Sequence, residues 1–173
     1  MADLRDLVER LGGRDVRTLL NSGNVVFSAT GARSDAFGAR IEKAMATRLG
    51  VAARVTVLEA VEVREIVARN PLLDVATDPS RLLVAVLGAP ADRARLRPLL
   101  KEDWSPDALA VGRRVAYLWC SGGIMASPLP EAVGRLVGER VTSRNWATLL
   151  RIDTLMADER PPRPRTGGDR GGA

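Results

Sequence analysis

Arg144-Asn145-Trp146 is the densest group of chemistry-capable side chains in this sequence. An arginine offers a planar fork of N–H groups to a phosphate or carboxylate, an asparagine adds a hydrogen bond, and a tryptophan offers a face for stacking. Thr142 or Ser143, just upstream, can cap a helix start, whose free N–H groups favour an anion. The same residues have a plainer reading. The cap then only starts a helix, Trp146 anchors it in the core, and Arg144 pairs with a nearby acid; capped helix starts are far commoner than anion sites. Asn21, Ser22 and Asn24, around Gly23, are candidates to line a pocket beside that cluster, or are present because a tight turn needs them.

Much other chemistry is excluded by residue types alone. The chain has 0 His and 1 Cys, which removes His-based triads, His/Cys zinc sites and any intramolecular disulfide. Ser121-Gly122-Gly123 has neither the spacing nor the lysine of a phosphate-binding loop. Ser127 and Lys101 make no defensible Ser–Lys dyad. The acid pairs Glu62/Glu65 and Asp103/Asp107 read as solvated surface, and Cys120, ending a strand with no histidine near, reads as a packing residue. Tyr117 and Trp119 alternate on one strand, but without an RNA-reader signature two aromatics on a strand face read as core. No catalytic residue, metal ligand or cofactor is nominated.

The elements that must position these residues come from a chain of 173 residues, 46% hydrophobic and 27% charged, with a formal net charge of +5. That length buries enough surface for one domain, or two small ones sharing a core. No apolar run approaches the roughly 20 residues of a membrane helix, and the lone cysteine with no export signal points to a reducing cytoplasm. All basic residues but Lys43 and Lys101 are arginines. They are interleaved with acids, as in Asp92-Arg93-Ala94-Arg95, which fits a composition bias better than a nucleic-acid track.

Leu4, Leu7, Val8 and Leu11 form the stripe of a helix over 2–12, stopped by Gly12-Gly13. Short β-prone runs over 16–20 and 24–28 flank Asn21-Ser22-Gly23, where glycine supplies the positive φ of a tight turn. A helix is expected from Ser34 to about Leu49, a strand over Ala53 to Leu58 and a helix over 60–69. Leu82 to Leu87 is a continuous apolar run, the mark of a strand covered on both faces. A helix over 90–101, strands near Ala108 to Val111 and Arg114 to Trp119, a helix from Pro130 to about Val137 and another from about Arg144 to Met156 complete the ordered part. Beyond Ala157 a Pro/Arg/Gly-rich tail, 158–173, cannot form a core and is expected to be disordered.

Read as letters, the second half opens β-α-β-β-α and the first reads α-β-β-α-β. One strand placed before Ala2 would make the first half β-α-β-β-α-β, the split ferredoxin-like arrangement. The predicted fold is therefore α+β, two ferredoxin-like α/β halves, the first missing its initial strand. The boundaries are 1–58 for the first half, 59–157 for the second with its C-terminal helix, and 158–173 for the tail. Met1 is then expected to be an internal methionine of a longer chain; otherwise the sheet closes up, or a partner strand fills the slot.

Four segments carry a family resemblance: Met1 to Leu7, the hairpin from Asn21 to Phe27, Asn70-Pro71-Leu72, and Thr142-Ser143-Arg144-Asn145-Trp146-Ala147-Thr148. Their order and separation resemble domain-of-unknown-function family 1697, over essentially 1–156. The resemblance implies two ferredoxin-like halves and an initial strand ending in an Arg-Gly-Ile-Asn-Val-Gly-Gly-type loop, which this sequence lacks. Similar proteins tend to show a Pro-x-Gly-x-x-basic-Ser-basic-Leu pattern where Ser121 to Leu129 stands here. Gly123, Ser127 and Leu129 fit, while both basic positions are replaced, by Ala126 and Pro128. Ser127 thus joins Arg144, Asn145, Trp146, Asn21, Ser22 and Asn24 as a candidate ligand-binding residue.

Three functions follow as expectations. The leading one is a non-enzymatic, cytoplasmic binding module for an anionic ligand, a nucleotide or a nucleic acid. The others are a His-independent enzyme acting on a phosphorylated or acyl substrate, and a strand-exchanging interaction module that forms a homo-oligomer through an open sheet edge. No membrane partner is implied.

Overall fold

The computed structural model describes residues 1–31, 34–138 and 141–157. The expected tail, 158–173, lies outside the described residues. In the first half, helix α1 (Ala2–Arg10) leads through Gly12, at φ 98°, into strand β1 (Arg14–Leu19). Strand β2 (Asn24–Ser28) returns antiparallel, with Thr18 opposite Val25 and Leu19 opposite Asn24. Helix α2 (Ser34–Ala44) follows and widens into one π-helical turn, Met45–Leu49, closed by Gly50 at φ 66°. Leu7, Val8, Val16, Phe37, Ile41 and Ala44 form the core of this half, and the rings of Phe27 and Phe37 stack 4.9 Å apart.

The predicted strand over 53–58 is not part of a sheet. Its alternation is that of an extended chain: Val55 packs into the first core, Leu58 into the second, and a side chain at Gly38 would come within 3.3 Å of Val57 Cγ2. It lacks a neighbour. Strand assignment requires a ladder, and among the described residues the sheet of the first half has two strands, β1 and β2.

Helix α3 (Ala60–Ala68) then leads to β3 (Leu82–Leu87), buried at every position as the continuous apolar run predicts. The expected helix over 90–101 is instead two 3-10 segments, Pro90–Leu96 and Leu99–Lys101. Pro98 between them has no N–H to give to the carbonyl four residues back, so an α-helix cannot run through. Strands β4 (Ala108–Val111) and β5 (Val115–Trp119) follow, then helix α4 (Leu129–Val137). The expected last helix does not begin at Arg144: strand β6 (Val141–Asn145) precedes helix α5 (Trp146–Ala157).

The second sheet has the order β4-β5-β3-β6, every neighbour antiparallel. With the 3-10 segments counted as the first crossover, this is β-α-β-β-α-β with its first strand in the centre, the ferredoxin-like arrangement. One face carries Leu83, Ala85, Leu87, Ala116 and Leu118 against Leu96, Leu99 and α4. The other carries Val84, Val86, Val115 and Tyr117 against Val63, Ile66, Trp146 and Leu149 of α3 and α5. A sheet covered on both faces holds β3 as its buried spine.

Candidate functional site

The strongest link between the two halves is a hydrogen-bonded knot joining residues about 120 positions apart. Asn24, 7% exposed, starts β2 and donates from Nδ2 to the Leu19 carbonyl (3.2 Å) and to Ser22 Oγ (2.9 Å). Both bonds close the Asn21-Ser22-Gly23 turn, with Gly23 at φ 78°. The remaining Asn24 atom, Oδ1, accepts from Arg144 Nε at 2.5 Å, and Arg144 Nη2 donates to the Ser22 carbonyl at 3.1 Å. Arg144 Nη1 donates to the Ser143 carbonyl (2.7 Å) and to Thr142 Oγ1 (3.4 Å).

Register explains why Arg144 points there. On β6, Thr142 stands opposite Val86 and Arg144 opposite Val84, so both lie on the sheet face that α3 and α5 cover. Ser143 and Asn145 take the other face. Every acceptor around Arg144 is neutral, and among the described residues no carboxylate pairs with it. Burial pushes its pKa down, the sign of a half-buried cation without a counter-charge.

Arg144 stands on the wall of a cleft of about 730 Å³ between the halves. Asn24 to Phe27 of β2 form one wall and residues 53–58 another, with Phe37 and Ile41 of α2, Val84 and Val86 of β3, and Leu149 and Met156 of α5 between them. The lining is mainly apolar. Its charged residues are Arg54, Arg64 and Arg144 against Glu59 alone, so the cleft favours a negative group on an apolar body.

The structure therefore gathers Arg144, Ser22 and Asn24, and disperses the other candidates. Asn21 sits in the exposed turn, away from the cleft lining. Asn145 is the cap of α5, its Oδ1 accepting the Thr148 N–H at 2.9 Å, a role predicted for Thr142 or Ser143. Trp146, 5% exposed, is core rather than a stacking face. The plainer reading of Arg144 also needs correction, since its partners are not acids.

Ser127 belongs to another place altogether, a cavity of about 430 Å³ beside the 103–107 and 121–128 loops. There Asp107 accepts from Ser127 Oγ (2.6 Å), Ser121 Oγ (2.7 Å) and the Ser121 N–H (2.8 Å). Burial alone raises the Asp107 carboxyl, but the bonds from Ser127 and Ser121 together outweigh it and hold the group below the usual carboxylate range. Ser127 Oγ also accepts the Leu129 N–H at the start of α4 (3.2 Å). Asp107, predicted as solvated surface, is thus the node that fastens two loops. Glu62 and Glu65 are not bare surface either: Glu62 pairs with Arg114 at 3.0 Å, and Glu65 with Arg69 at 3.1 Å. Arg69 stands one helical turn beyond Glu65, a pairing the spacing itself allows, whereas Arg114 comes from 52 residues away and no local period announces it. Cys120 is fully buried, and burial pushes its thiol pKa up, in keeping with a packing role.

Fold and site together define a class: an α+β protein of two related halves, the second a complete ferredoxin-like unit, with a cationic, apolar cleft where they meet. The chain belongs to the family described as "Protein of unknown function (DUF1697)", whose profile matches residues 1–117. Among solved structures it is similar to the conserved bacterial protein SP0830 from Streptococcus pneumoniae. That likeness has a TM-score of 0.71 and 18% sequence identity, and covers 90% of this chain and 88% of that one. At such identity the likeness establishes the fold. No curated protein matches the sequence. Among the described residues no helix is long and apolar enough to cross a membrane, and no cluster of His, Cys, Asp or Glu could hold a metal ion.

Proposed function

We propose that the protein is a non-enzymatic binding module that holds an anionic group at Arg144 in the cleft between its halves. The observation that carries this reading is the uncompensated charge of Arg144. Its guanidinium is half-buried, is held in place by neutral acceptors from the hairpin and β6, and faces an apolar cleft. A carboxylate or phosphate beside it would supply the missing counter-charge where the dielectric is low and the interaction strong. The apolar lining calls for a ligand with an apolar body. A nucleic acid is the less apt form of this reading, because many of the surface arginines are paired with acids, as in Arg5–Glu9 and Arg135–Glu131, and phosphate tracks need unpaired cations. A reducing cytoplasm, with Cys120 as a buried free thiol, fits the same picture.

Thermal unfolding in increasing decanoate tests it. The wild type is expected to gain melting temperature with concentration, as any ligand that binds the native state requires, and Arg144→Gln, checked as folded by circular dichroism, to lose most of that response. Equal responses in the two proteins, or none in either, would remove Arg144 as the anion site.

A further inference from the structure

The second cavity has a chemistry opposite to that of the first. It lies where β4 begins and β5 ends, with Ala108 opposite Trp119, between the 103–107 and 121–128 loops. Its volume is about 430 Å³, and its lining carries two carboxylates, Asp103 and Asp107, one indole, Trp104, and no basic side chain. Among the described residues neither carboxylate makes an ion pair. Both are held below the usual carboxylate range. The Ser105 N–H and then its hydroxyl do this for Asp103; in Asp107 burial opposes, and the Ser127 and Ser121 bonds together outweigh it.

The polar hydrogens around these carboxylates are already spent. Ser121 gives both its N–H and its hydroxyl to Asp107, and Ser127 gives its hydroxyl to the same group. The Ser105 N–H goes to Asp103 Oδ1 at 3.0 Å, and Trp104 Nε1 donates to the Leu99 carbonyl at 2.7 Å. A hydroxyl has one hydrogen, so Ser121 and Ser127 have only oxygen lone pairs left for a ligand, and Trp104, half-buried, has only its π-face. Pro106 and Pro128 have no N–H and add hydrocarbon. An anion meets two like charges here, and a ligand in need of donors finds them used. The complementary group is made of donors alone and carries positive charge. A metal ion is the poorer match, because no group of three or more His, Cys, Asp or Glu able to hold one occurs among the described residues.

We infer that this cavity binds an organic cation, an ammonium or guanidinium on a short apolar stem, its charge met by Asp103, Asp107 and the indole face of Trp104. The site lies apart from Arg144 and goes beyond the anion reading, since the two cavities select opposite charges.

Amide chemical shifts of the isotope-labelled full chain, titrated with n-pentylammonium chloride and with n-pentanol, test it. Saturable shifts confined to 103–107 and 121–128 are expected, with the ammonium at least about tenfold tighter than the alcohol. Asp103→Asn keeps an amide oxygen for the Ser105 N–H, so the loop is retained, and should bind the ammonium about tenfold more weakly. Trp104→Phe keeps a π-face and should bind nearly as the wild type does, whereas Trp104→Leu should lose most of the affinity; thermal unfolding shows that each variant is folded. Alcohol bound as tightly as ammonium, no saturable shift in either loop, or unchanged affinity in Asp103→Asn would overturn the site. Calcium chloride that displaces the ammonium at a lower concentration than the ammonium needs to saturate would overturn the organic ligand in favour of a metal. A third probe, N-acetyl-lysine methylamide, carries the same ammonium on a peptide side chain. Tighter binding than pentylammonium supports a lysine of a protein partner as the source of the cation, and weaker binding supports a free amine.

Discussion

Replacing Arg144 by glutamine removes the knot that ties the hairpin to β6, and its cost can be worked bond by bond. A hydrogen bond from a charged donor contributes about 1.5–3 kcal/mol. The bonds to the Ser143 carbonyl and Thr142 Oγ1 are local to β6, so their loss frees little chain. The two long-range bonds differ in kind. Ser22 is exposed, and its carbonyl regains water when the arginine is gone. Asn24 is 7% exposed, so its Oδ1 would be left without a partner at a penalty of about 1–3 kcal/mol. Against this, the variant no longer holds a desolvated cation without a counter-charge, which returns part of the cost. The expected net loss is about 1–2 kcal/mol, read by urea unfolding at neutral pH. Hydrogen exchange should localise it, with the amides around Leu19 to Val26 opening sooner than those of β3. Arg144→Lys should lose nearly as much, since an ammonium lacks the fork that serves Asn24 and Ser22 together. A loss below about 0.5 kcal/mol, or a gain, would show that the hairpin is not held by Arg144 and that desolvation dominates at this position.

Three further outcomes are expected. Ser127→Ala should cost about 1.5–3 kcal/mol at pH 6, because it removes a 2.6 Å bond to a carboxylate. Asp107 is held below its ordinary value of 3.8, so its contribution is full above that pH and lost as pH falls through the depressed folded value. The gap between wild type and variant should therefore narrow in acid, down to the part owed to the Leu129 N–H bond, and a gap that widens as pH falls would contradict the sign. Tyr117, the chain's single tyrosine, has its phenol pushed up to about 12, first by burial and then by Glu65, with Arg69 partly opposing. Absorbance at 295 nm should show no ionisation in the native protein near pH 10, whereas a native midpoint near 10 would refute the burial. The thiol of Cys120 should resist Ellman's reagent in the folded protein and react fully in denaturant; rapid native reaction would contradict its packing role.

Some of this fold was legible in the sequence for plain reasons. The stripe of Leu4, Leu7 and Val8 marks α1, and the unbroken run Leu82 to Leu87 marks a strand covered on both sides. In each case local pattern and tertiary burial agree. They part company at β6, where Val141-Thr142-Ser143-Arg144-Asn145 has no apolar alternation and Thr142, Ser143 and Asn145 suit helix caps as well as they suit a strand. Only pairing with β3 makes it a strand, and pairing is not a local property. The segment over 53–58 shows the converse, since its alternation is strand-like but no neighbouring strand completes the ladder.

The candidate site was half legible for a related reason. Polar residues at a turn and an arginine next to a helix start each announce a possible contact, but nothing local says that Asn24 and Arg144 meet across 120 positions. Asn145 and Trp146 adjoin Arg144 in sequence but not in the site. The change from strand to helix between them sends one side chain to the core and uses the other as a cap. Asp107 reads as solvated surface in the sequence because its three bonds come from Ser121 and Ser127, 14 and 20 residues away, a separation that no helical or strand period reports.

Arg144 is proposed to select an anion, by its charge, within an apolar cleft. Calorimetric titration of the full chain with decanoate, and with the uncharged alcohol of the same chain length, compares two ligands that differ mainly in the group expected to meet Arg144. Saturable binding at one site, at least tenfold tighter for decanoate in the wild type and with that preference lost in Arg144→Gln, is the predicted result. Equal affinity for acid and alcohol in the wild type, or a preference that survives in the variant, would contradict it.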